Sequence, residues 1–230
     1  MTMIAAKLQT VHARIVAACL AARRDPAQVS LLAVSKTFGP EAVAEACAAG
    51  QTSFGENYIQ EAVEKMAALP GLALEWHCIG PVQSNKTRLV AEKFAWVQTV
   101  DRLKIAQRLS EQRPAELPPL QVCIQVNVDG GATKSGVTPE QVLDLARAVQ
   151  ALPRLQLRGL MAIPEPAPDF VAACAVFGRV KALFDKLNQA GLRLDTLSMG
   201  MTGDLEAAIH SGSTLVRVGT AIFGGRARSA

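Results

Sequence analysis

The sequence predicts an α/β fold, namely a single closed (β/α)8 barrel of the TIM type with one extra helix at its N-terminus. Eight short apolar runs alternate with helical segments along the 230 residues, and such alternation is typical of a parallel sheet. Eight strand–helix units in one domain favour a barrel, a fold of about 250 residues. Because only 4% of the residues are aromatic, we expect an aliphatic core.

The extra helix is predicted over residues 1–24. Apolar residues recur there at steps of four and three, at Ile4, Leu8, Val11, Ile15 and Cys19. This spacing places them on one face of an amphipathic helix. Lys7, His12 and Arg14 interrupt the segment, so we expect neither a signal peptide nor a membrane span, which needs about 20 apolar residues.

The eight strand-like runs are mostly apolar, as strands covered on both faces should be. The predicted strands are residues 31–35, 52–55, 74–79, 95–100, 121–128, 155–163, 196–199 and 215–218. The predicted helices between them are residues 40–49, 59–69, 84–93, 102–112, 139–152, 169–191 and 204–210, followed by a last turn into Gly224. Gly50 ends the first of these helices, and Ser84 suits the N-cap of the third.

A doubly wound open sheet is the alternative architecture. It would have fewer strands, and its glycine fingerprint GxGxxG is missing after the first strand, where Lys36-Thr37-Phe38-Gly39 stands instead. No linker-like composition divides the chain, and residues 114–119 are interpreted as a loop. Residues 1–230 are therefore predicted to form one domain.

Charge and cysteine content narrow the class of protein. The net charge is +4 and the basic residues are scattered, so no concentrated basic face for nucleic acid is expected. Five dispersed cysteines without a CxxC pair indicate reduced thiols and no zinc site. We therefore expect a cytoplasmic protein that binds neither nucleic acid nor membranes.

Lys36 is the most informative residue, because barrel enzymes and binding proteins place their chemistry at the carboxyl ends of the strands. It directly follows the first apolar run. A partly desolvated lysine has a lowered pKa and is competent to form a Schiff base with an aldehyde. A solvated lysine at a strand end is the plainer interpretation. Lys134, in a glycine-rich loop, is the rival amine.

Two turns near the C-terminus suit a phosphate group. They are Ser198-Met199-Gly200-Met201-Thr202-Gly203 and Gly219-Thr220, after the seventh and eighth strands. This fold commonly binds phosphate there, through backbone amides and a helix N-terminus. The hydroxyls of Ser198, Thr202 and Thr220 would add donors. Turn glycines and helix capping by Thr202 or Asp204 are the alternative, and the charge of Asp204 disfavours an anion at that point.

Arg217 lies inside an otherwise apolar strand, so a buried guanidinium there needs an acceptor. A structural salt bridge and a hydrogen bond to a ring nitrogen of a ligand are both open. Asn57 would orient a ligand or cap the chain, and for Asn127 we favour capping. His77 is expected to be an interior histidine with its hydrogen bonds satisfied.

These features together suit one ligand. A lysine on the first strand, an arginine on the eighth and two phosphate-compatible turns fit an aldehyde that carries a ring nitrogen and a phosphate, which is pyridoxal 5′-phosphate (PLP). A Schiff-base aldolase acting on a sugar phosphate would share the lysine and the turns but would not need Arg217.

The chain also closely resembles the pyridoxal-phosphate homeostasis proteins, single-domain relatives of the barrel half of alanine racemases. The matching stretches span nearly the whole chain and are residues 32–37, 54–58, 76–77, 79–80, 83–86, 134–136, 158–163, 197–201, 216–217 and 219–224. Thr202-Gly203 departs from the family, which usually has serine and an acidic residue there, and Cys78 replaces an aromatic residue.

The resemblance implies a PLP aldimine on Lys36 and Arg217 opposite the pyridine nitrogen. It also implies Asn57 near the ring. Phosphate would be held around Ser198, Met199, Gly219 and Thr220, and the hydroxyl of Thr202 should preserve phosphate binding despite the departure at that turn.

Two functions follow, and we favour the first. A monomeric binding protein would hold PLP in intracellular PLP homeostasis and deliver it to PLP-dependent apoenzymes, without turnover. An amino-acid racemase is the alternative. It is disfavoured because an arginine does not protonate the ring nitrogen and because the only tyrosine is Tyr58, whereas racemases take a second acid/base from another domain.

Overall fold

Eight parallel strands form a closed barrel in the computed structural model, which describes residues 2–130 and 135–225. Each strand pairs with the next, and β8 pairs with β1. The strands are β1 (Ser30–Val34), β2 (Ser53–Glu56), β3 (Glu75–Cys78), β4 (Trp96–Val100), β5 (Leu120–Val126), β6 (Leu155–Ala162), β7 (Thr196–Ser198) and β8 (Leu215–Val218). The predicted barrel is therefore confirmed.

Helices surround the barrel, one after each strand and one before the first. They are α1 (Met3–Ala21), α2 (Pro40–Ala48), α3 (Ile59–Ala68), α4 (Thr87–Lys93), α5 (Leu103–Gln112), α6 (Val142–Gln150), α7 (Phe170–Gln189), α8 (Leu205–His210) and α9 (Thr220–Phe223). A short 3-10 turn at Pro26–Gln28 was not predicted. Ser84 was predicted to cap the helix through residue 93, but Ser84–Lys86 form a 3-10 turn and Lys86 is the N-cap of α4. The predicted extra helix is α1, and the predicted last turn is α9.

The start of α6 differs from the predicted helix bounds by three residues, as do the start of α4 and the end of α1. The predicted helix began at residue 139, whereas α6 begins at Val142. Val137 instead forms an isolated parallel bridge with Val126. Its amide donates to the carbonyl of Gln125, and its carbonyl accepts from the amide of Asn127. This pairing draws the chain along β5 and delays the helix.

Two layers of side chains bury the apolar surface. The larger layer lies between the barrel and its helices. Inside the barrel, smaller apolar clusters consist of Leu32, Val34, Ile79 and Leu215 and of Trp96, Cys123 and Met161. Buried polar side chains, among them His77, Gln98 and Arg217, share this interior. A barrel interior of this kind is a packed core and not a pore.

The apolar face of α1 packs against α8 and α9, with further contacts to α2. Its buried residues are Leu8, Val11, Ile15, Ala18 and Cys19. By length and hydropathy this helix would suffice to cross a membrane, and 28% of the window that qualifies is buried. One such helix near an N-terminus is weak evidence, because packed helices of soluble proteins and signal sequences share these properties.

Candidate functional site

A cavity of about 330 Å³ opens at the carboxyl ends of the strands. It brings together residues from both ends of the sequence. Its lining consists of Val34, Lys36, Thr37, Phe38, Asn57, Ile79, Ile163, Met201, Thr202, Gly203, Arg217, Gly219, Thr220 and Gly224. Six of the eight residues predicted from sequence as cofactor ligands are in this set.

Lys36 lies two residues beyond the end of β1, half-buried at the wall of the cavity. Hydrogen bonds hold the residues on both sides of it. The Ser35 hydroxyl donates to Glu56 Oε1 at 2.6 Å, and the Thr37 amide donates to Glu61 Oε1 at 2.6 Å. Thr37 has a φ of 68°, which is costly for a β-branched residue. The backbone beside Lys36 is thus fixed in a strained turn.

A buried ion pair stands behind this turn and was not foreseen from sequence. Lys65 Nζ donates to Glu56 Oε1 at 2.7 Å, to the Ser35 carbonyl at 2.8 Å and to Glu61 Oε1. Burial raises the pKa of Glu56, whereas its hydrogen bonds from Lys65 and Ser35 act in the opposite direction. The pair ties α3 to the ends of β1 and β2, and so to the segment that carries Lys36.

Arg217 points into the barrel interior and is 3% exposed. Its Nη1 donates to the carbonyl and the hydroxyl of Ser198 at 2.8 and 2.7 Å, and its Nη2 donates to the Ala162 carbonyl at 2.9 Å. A guanidinium has five N–H groups, and two of them are not donated to any described residue. Burial lowers the pKa of Arg217 to about 10, so it stays charged at neutral pH. It lines the cavity as a cationic donor.

Ser198 and Met199, which the sequence predicts to lie around a phosphate, are not among the residues that line the cavity. Both are fully buried. The Ser198 hydroxyl donates to Gln98 Oε1 at 2.6 Å and accepts from Arg217. The Met199 amide donates to the Leu215 carbonyl. Their hydrogen bonds therefore join neighbouring strands of the barrel and, through Ser198, hold Arg217.

Thr202, Gly219 and Thr220 lie on the cavity wall as predicted. The Thr220 and Thr202 hydroxyls are 3.2 Å apart, so the loops after β7 and β8 meet there. Thr220 begins α9, and the first amides of a helix have no acceptor within it. Arg14 of α1 donates to the Thr202 carbonyl at 3.1 Å and thereby holds this loop from outside.

Asn57 lines the cavity beside the end of β2. Its Oδ1 is buried and has no hydrogen-bond partner in the described part of the chain. Gly80 allows the chain after β3 to approach it, because a Cβ at Gly80 would lie 2.1 Å from the Asn57 carbonyl oxygen. Buried acceptors without a donor are rare in folded proteins, so Asn57 Oδ1 is a polar atom that the described residues leave unpaired next to the cavity wall.

The other polar residues considered from sequence lie elsewhere. Asn127 Oδ1 accepts from the Gly130 amide, as expected of a capping residue. His77 is an interior histidine with both ring nitrogens hydrogen-bonded, also as expected. Lys134 lies outside the described residues. Across residues 2–130 and 135–225, no group of three or more potential ligands could hold a metal ion.

Comparison with known proteins adds the family. The family described as "Alanine racemase, N-terminal domain" matches residues 12–227. A Pseudomonas aeruginosa protein named pyridoxal phosphate homeostasis protein is 62% identical over 98% of this chain and 97% of its own length. The structure of PipY from Synechococcus elongatus with PLP bound is 35% identical, with a TM-score of 0.83, over 96% of this chain and all of PipY.

A more distant structure shows the fold alone. D-threonine aldolase from Filomicrobium marinum is 22% identical with a TM-score of 0.77, and the match covers 96% of this chain but 60% of the aldolase. The barrel is thus shared with an enzyme that extends beyond it. From the family match and the 62% identity, this chain belongs to the alanine racemase N-terminal domain family and, within it, to the pyridoxal phosphate homeostasis proteins.

Proposed function

We propose that this chain binds PLP in the cavity at the carboxyl ends of its strands. The observation that carries the proposal is the convergence of a half-buried lysine, a buried arginine donor and two threonine hydroxyls on one cavity. These groups match the aldehyde, the ring nitrogen and the phosphate of PLP. The relative named for PLP homeostasis and the PLP-bound PipY structure support the same ligand.

Each lining residue has a distinct part in this proposal. PLP, when bound, would supply an aldehyde, and Lys36 would hold it through its amine, with the carbonyl oxygen leaving as water. Arg217 donates to the ring nitrogen, and Asn57 lies beside the ring. Thr202, Gly219 and Thr220 hold the phosphate through hydroxyls and amides. Ser198 and Met199 support Arg217 and the phosphate loop from beneath.

We propose that the protein holds and delivers PLP and does not turn over substrate. Arg217 is a hydrogen-bond donor, so it does not protonate the ring nitrogen, and an unprotonated ring is a weak electron sink for carbanion chemistry. The single tyrosine, Tyr58, is 53% exposed and is not part of the cavity wall. A racemase needs a second acid/base opposite its lysine, and the described cavity wall offers no tyrosine for that role.

The cellular role follows from this chemistry. Free PLP is a reactive aldehyde, and a protein that holds it on an amine keeps the free concentration low while the bond stays reversible. We propose a cytoplasmic protein, folded as one PLP-binding domain over residues 1–230, that passes PLP to PLP-dependent apoenzymes. Racemisation of L- or D-alanine by the pure protein at typical enzyme rates, about 10 per second, would contradict this assignment and favour the racemase alternative.

The covalent attachment is tested by reduction. Incubation with PLP, treatment with borohydride and peptide mapping should place the pyridoxyl group on Lys36. Lys36→Ala should lose both the label and the visible absorbance, whereas Lys86→Ala should retain both because Lys86 is outside the cavity wall. A pyridoxyl group found mainly on Lys134 would contradict the proposal.

A further inference from the structure

A chain of hydrogen bonds runs from Arg217 through the barrel interior. Arg217 donates to Ser198 Oγ at 2.7 Å, and Ser198 Oγ donates to Gln98 Oε1 at 2.6 Å. Gln98 Nε2 lies 2.9 Å from His77 Nδ1, and His77 Nε2 lies 2.9 Å from Glu75 Oε1. We call these five residues the interior relay. The step from β7 to β4 joins residues 100 positions apart, across the barrel.

The chemistry of its ends gives the relay one direction. Arg217 has only donors, so Ser198 Oγ accepts from it and turns its own proton towards Gln98. The Gln98 carbonyl is then occupied, and its amide N–H donates to His77 Nδ1. This fixes the histidine tautomer with its proton on Nε2, which donates to the Glu75 carboxylate. Every proton therefore points away from the cavity, and the relay ends on an anion.

The electrostatics agree with this direction. Burial lowers the pKa of His77, which favours the neutral ring that the Gln98 amide requires. The hydrogen bond from His77 lowers the pKa of Glu75 and keeps it ionised as the terminal acceptor. Trp96 stacks on the His77 ring with centroids 5.0 Å apart. The Arg158 guanidinium lies over the Trp96 ring, 5.0 Å from its centroid. Glu75 and His77 also line a second cavity, at the amino ends of the strands.

We propose that Gln98 and His77 are positioning residues for PLP, which act on the ring nitrogen through Ser198 and Arg217. The relay fixes the position of the Ser198 hydroxyl, which accepts one N–H of Arg217. The guanidinium is thereby held so that its undonated N–H groups are directed towards the cavity. The inference rests on the proposed function. It assigns a purpose to two buried polar residues that are not part of the wall of this cavity.

The test compares two changes at one position with a matched control. Gln98→Leu removes the hydrogen bonds of Gln98 to Ser198 and to His77, so the Ser198 hydroxyl is free to turn. Arg217 should then lose its hydrogen bond to the PLP ring, and PLP should bind about tenfold more weakly, as expected for one hydrogen bond from a charged group. The absorption maximum of bound PLP should shift as well. Gln51→Leu removes another buried glutamine, whose hydrogen bonds go to the Leu31 and Ser53 carbonyls, and should change neither.

Gln98→Glu serves as the conservative rescue. A carboxylate accepts from Ser198 as the glutamine does, so the affinity for PLP and the absorption maximum should stay close to wild type. The carboxylate cannot donate to His77 Nδ1, so that nitrogen must take a proton. Nitrogen-15 NMR should therefore show His77 neutral in wild type and charged in Gln98→Glu, with His12 and His210 as internal references among the three histidines.

The outcomes separate this inference from the proposed function. If wild type itself fails to bind PLP, the proposed function is wrong, and the Arg217 guanidinium resonances of the protein alone then decide the relay. They should broaden or shift in Gln98→Leu and not in Gln51→Leu. Equal PLP affinity, equal absorption maximum and equal Arg217 resonances in Gln98→Leu and wild type would overturn the positioning role.

Discussion

Lys36 illustrates how single residues shape this site, because its surroundings include Glu56, Glu61 and Lys65, which are not part of the cavity wall. Thr37 has a left-handed backbone at φ 68°, its amide donates a hydrogen bond to Glu61, and Glu61 is in turn paired with Lys65. Buried ion pairs of this kind contribute little net stability but are costly to break from one side, about 3–5 kcal/mol. The pair between Lys65 and Glu56 therefore fixes geometry more than it adds stability.

His77 gives a prediction about pH. Because burial lowers its pKa below 6.5, the unfolded chain takes up a proton between 6.5 and that lower value while the folded chain does not. The free energy of unfolding should therefore fall as the pH drops below 6.5, by about 1.4 kcal/mol for each unit of pKa lowering.

The measurement is urea unfolding of wild type and His77→Gln at pH 7.5 and 5.5. Glutamine can accept from Gln98 and donate to Glu75 without titrating. Groups that do not contact His77 cancel in the difference between the two proteins, and Glu75, whose pKa is lowered, stays ionised over this pH range. The variant should lose less stability on acidification. Parallel losses in the two proteins would show that His77 does not carry the effect.

At the scale of elements, α1 stabilises the barrel through one face. Leu8 is 2% exposed and packs in the outer core, whereas Leu20 on the same helix is 65% exposed. Leu8→Ala should lower the free energy of unfolding by about 2–5 kcal/mol. Leu20→Ala has the same chemistry and should change it by less than about 0.5 kcal/mol. Equal losses in urea unfolding would show that α1 does not pack as described.

The strands and most helices were predictable from sequence because burial on both faces leaves a continuous apolar run, and each run here alternates with a helical pattern. The late start of α6 was not, because Val137 is held by β5 and not by its local sequence. Gly159 shows the same dependence on neighbours, since a Cβ there would lie 1.7 Å from the Thr196 carbonyl oxygen of β7. Its need for glycine is visible only once β6 and β7 are paired.

At the scale of the whole molecule, the position of a residue relative to the strand ends explains which part of the site could be predicted from sequence. Lys36, Thr202, Arg217 and Thr220 stand at or near strand ends, and a barrel brings all strand ends to one rim. Gln98 was missed because its partner Ser198 lies across the interior, which no local pattern encodes. The available signal was a glutamine inside an apolar strand, the same kind of signal that singled out Arg217.

The oligomeric state is also a property of the whole surface. Large exposed apolar side chains are spread over α1, the rim loops and the start of α7, as with Leu20, Ile163 and Phe170. A stable dimer usually buries about 800 Å² on each partner, with a concentrated apolar centre. We therefore predict a monomer of 24.4 kDa by light scattering. A mass that stays doubled on dilution would contradict this.

The contact of Arg14 with the Thr202 carbonyl and with Glu206 joins the first helix of the chain to the loop after β7. Changes to the amino-terminal helix, such as an attached affinity tag or partial proteolysis, should therefore affect the Thr202 loop, which is proposed to hold the phosphate. Loss of the Arg14 guanidinium would free the loop after β7 while the eight strands remain assembled. Weaker retention of PLP would therefore reveal damage to the amino-terminal helix before an unfolding assay does.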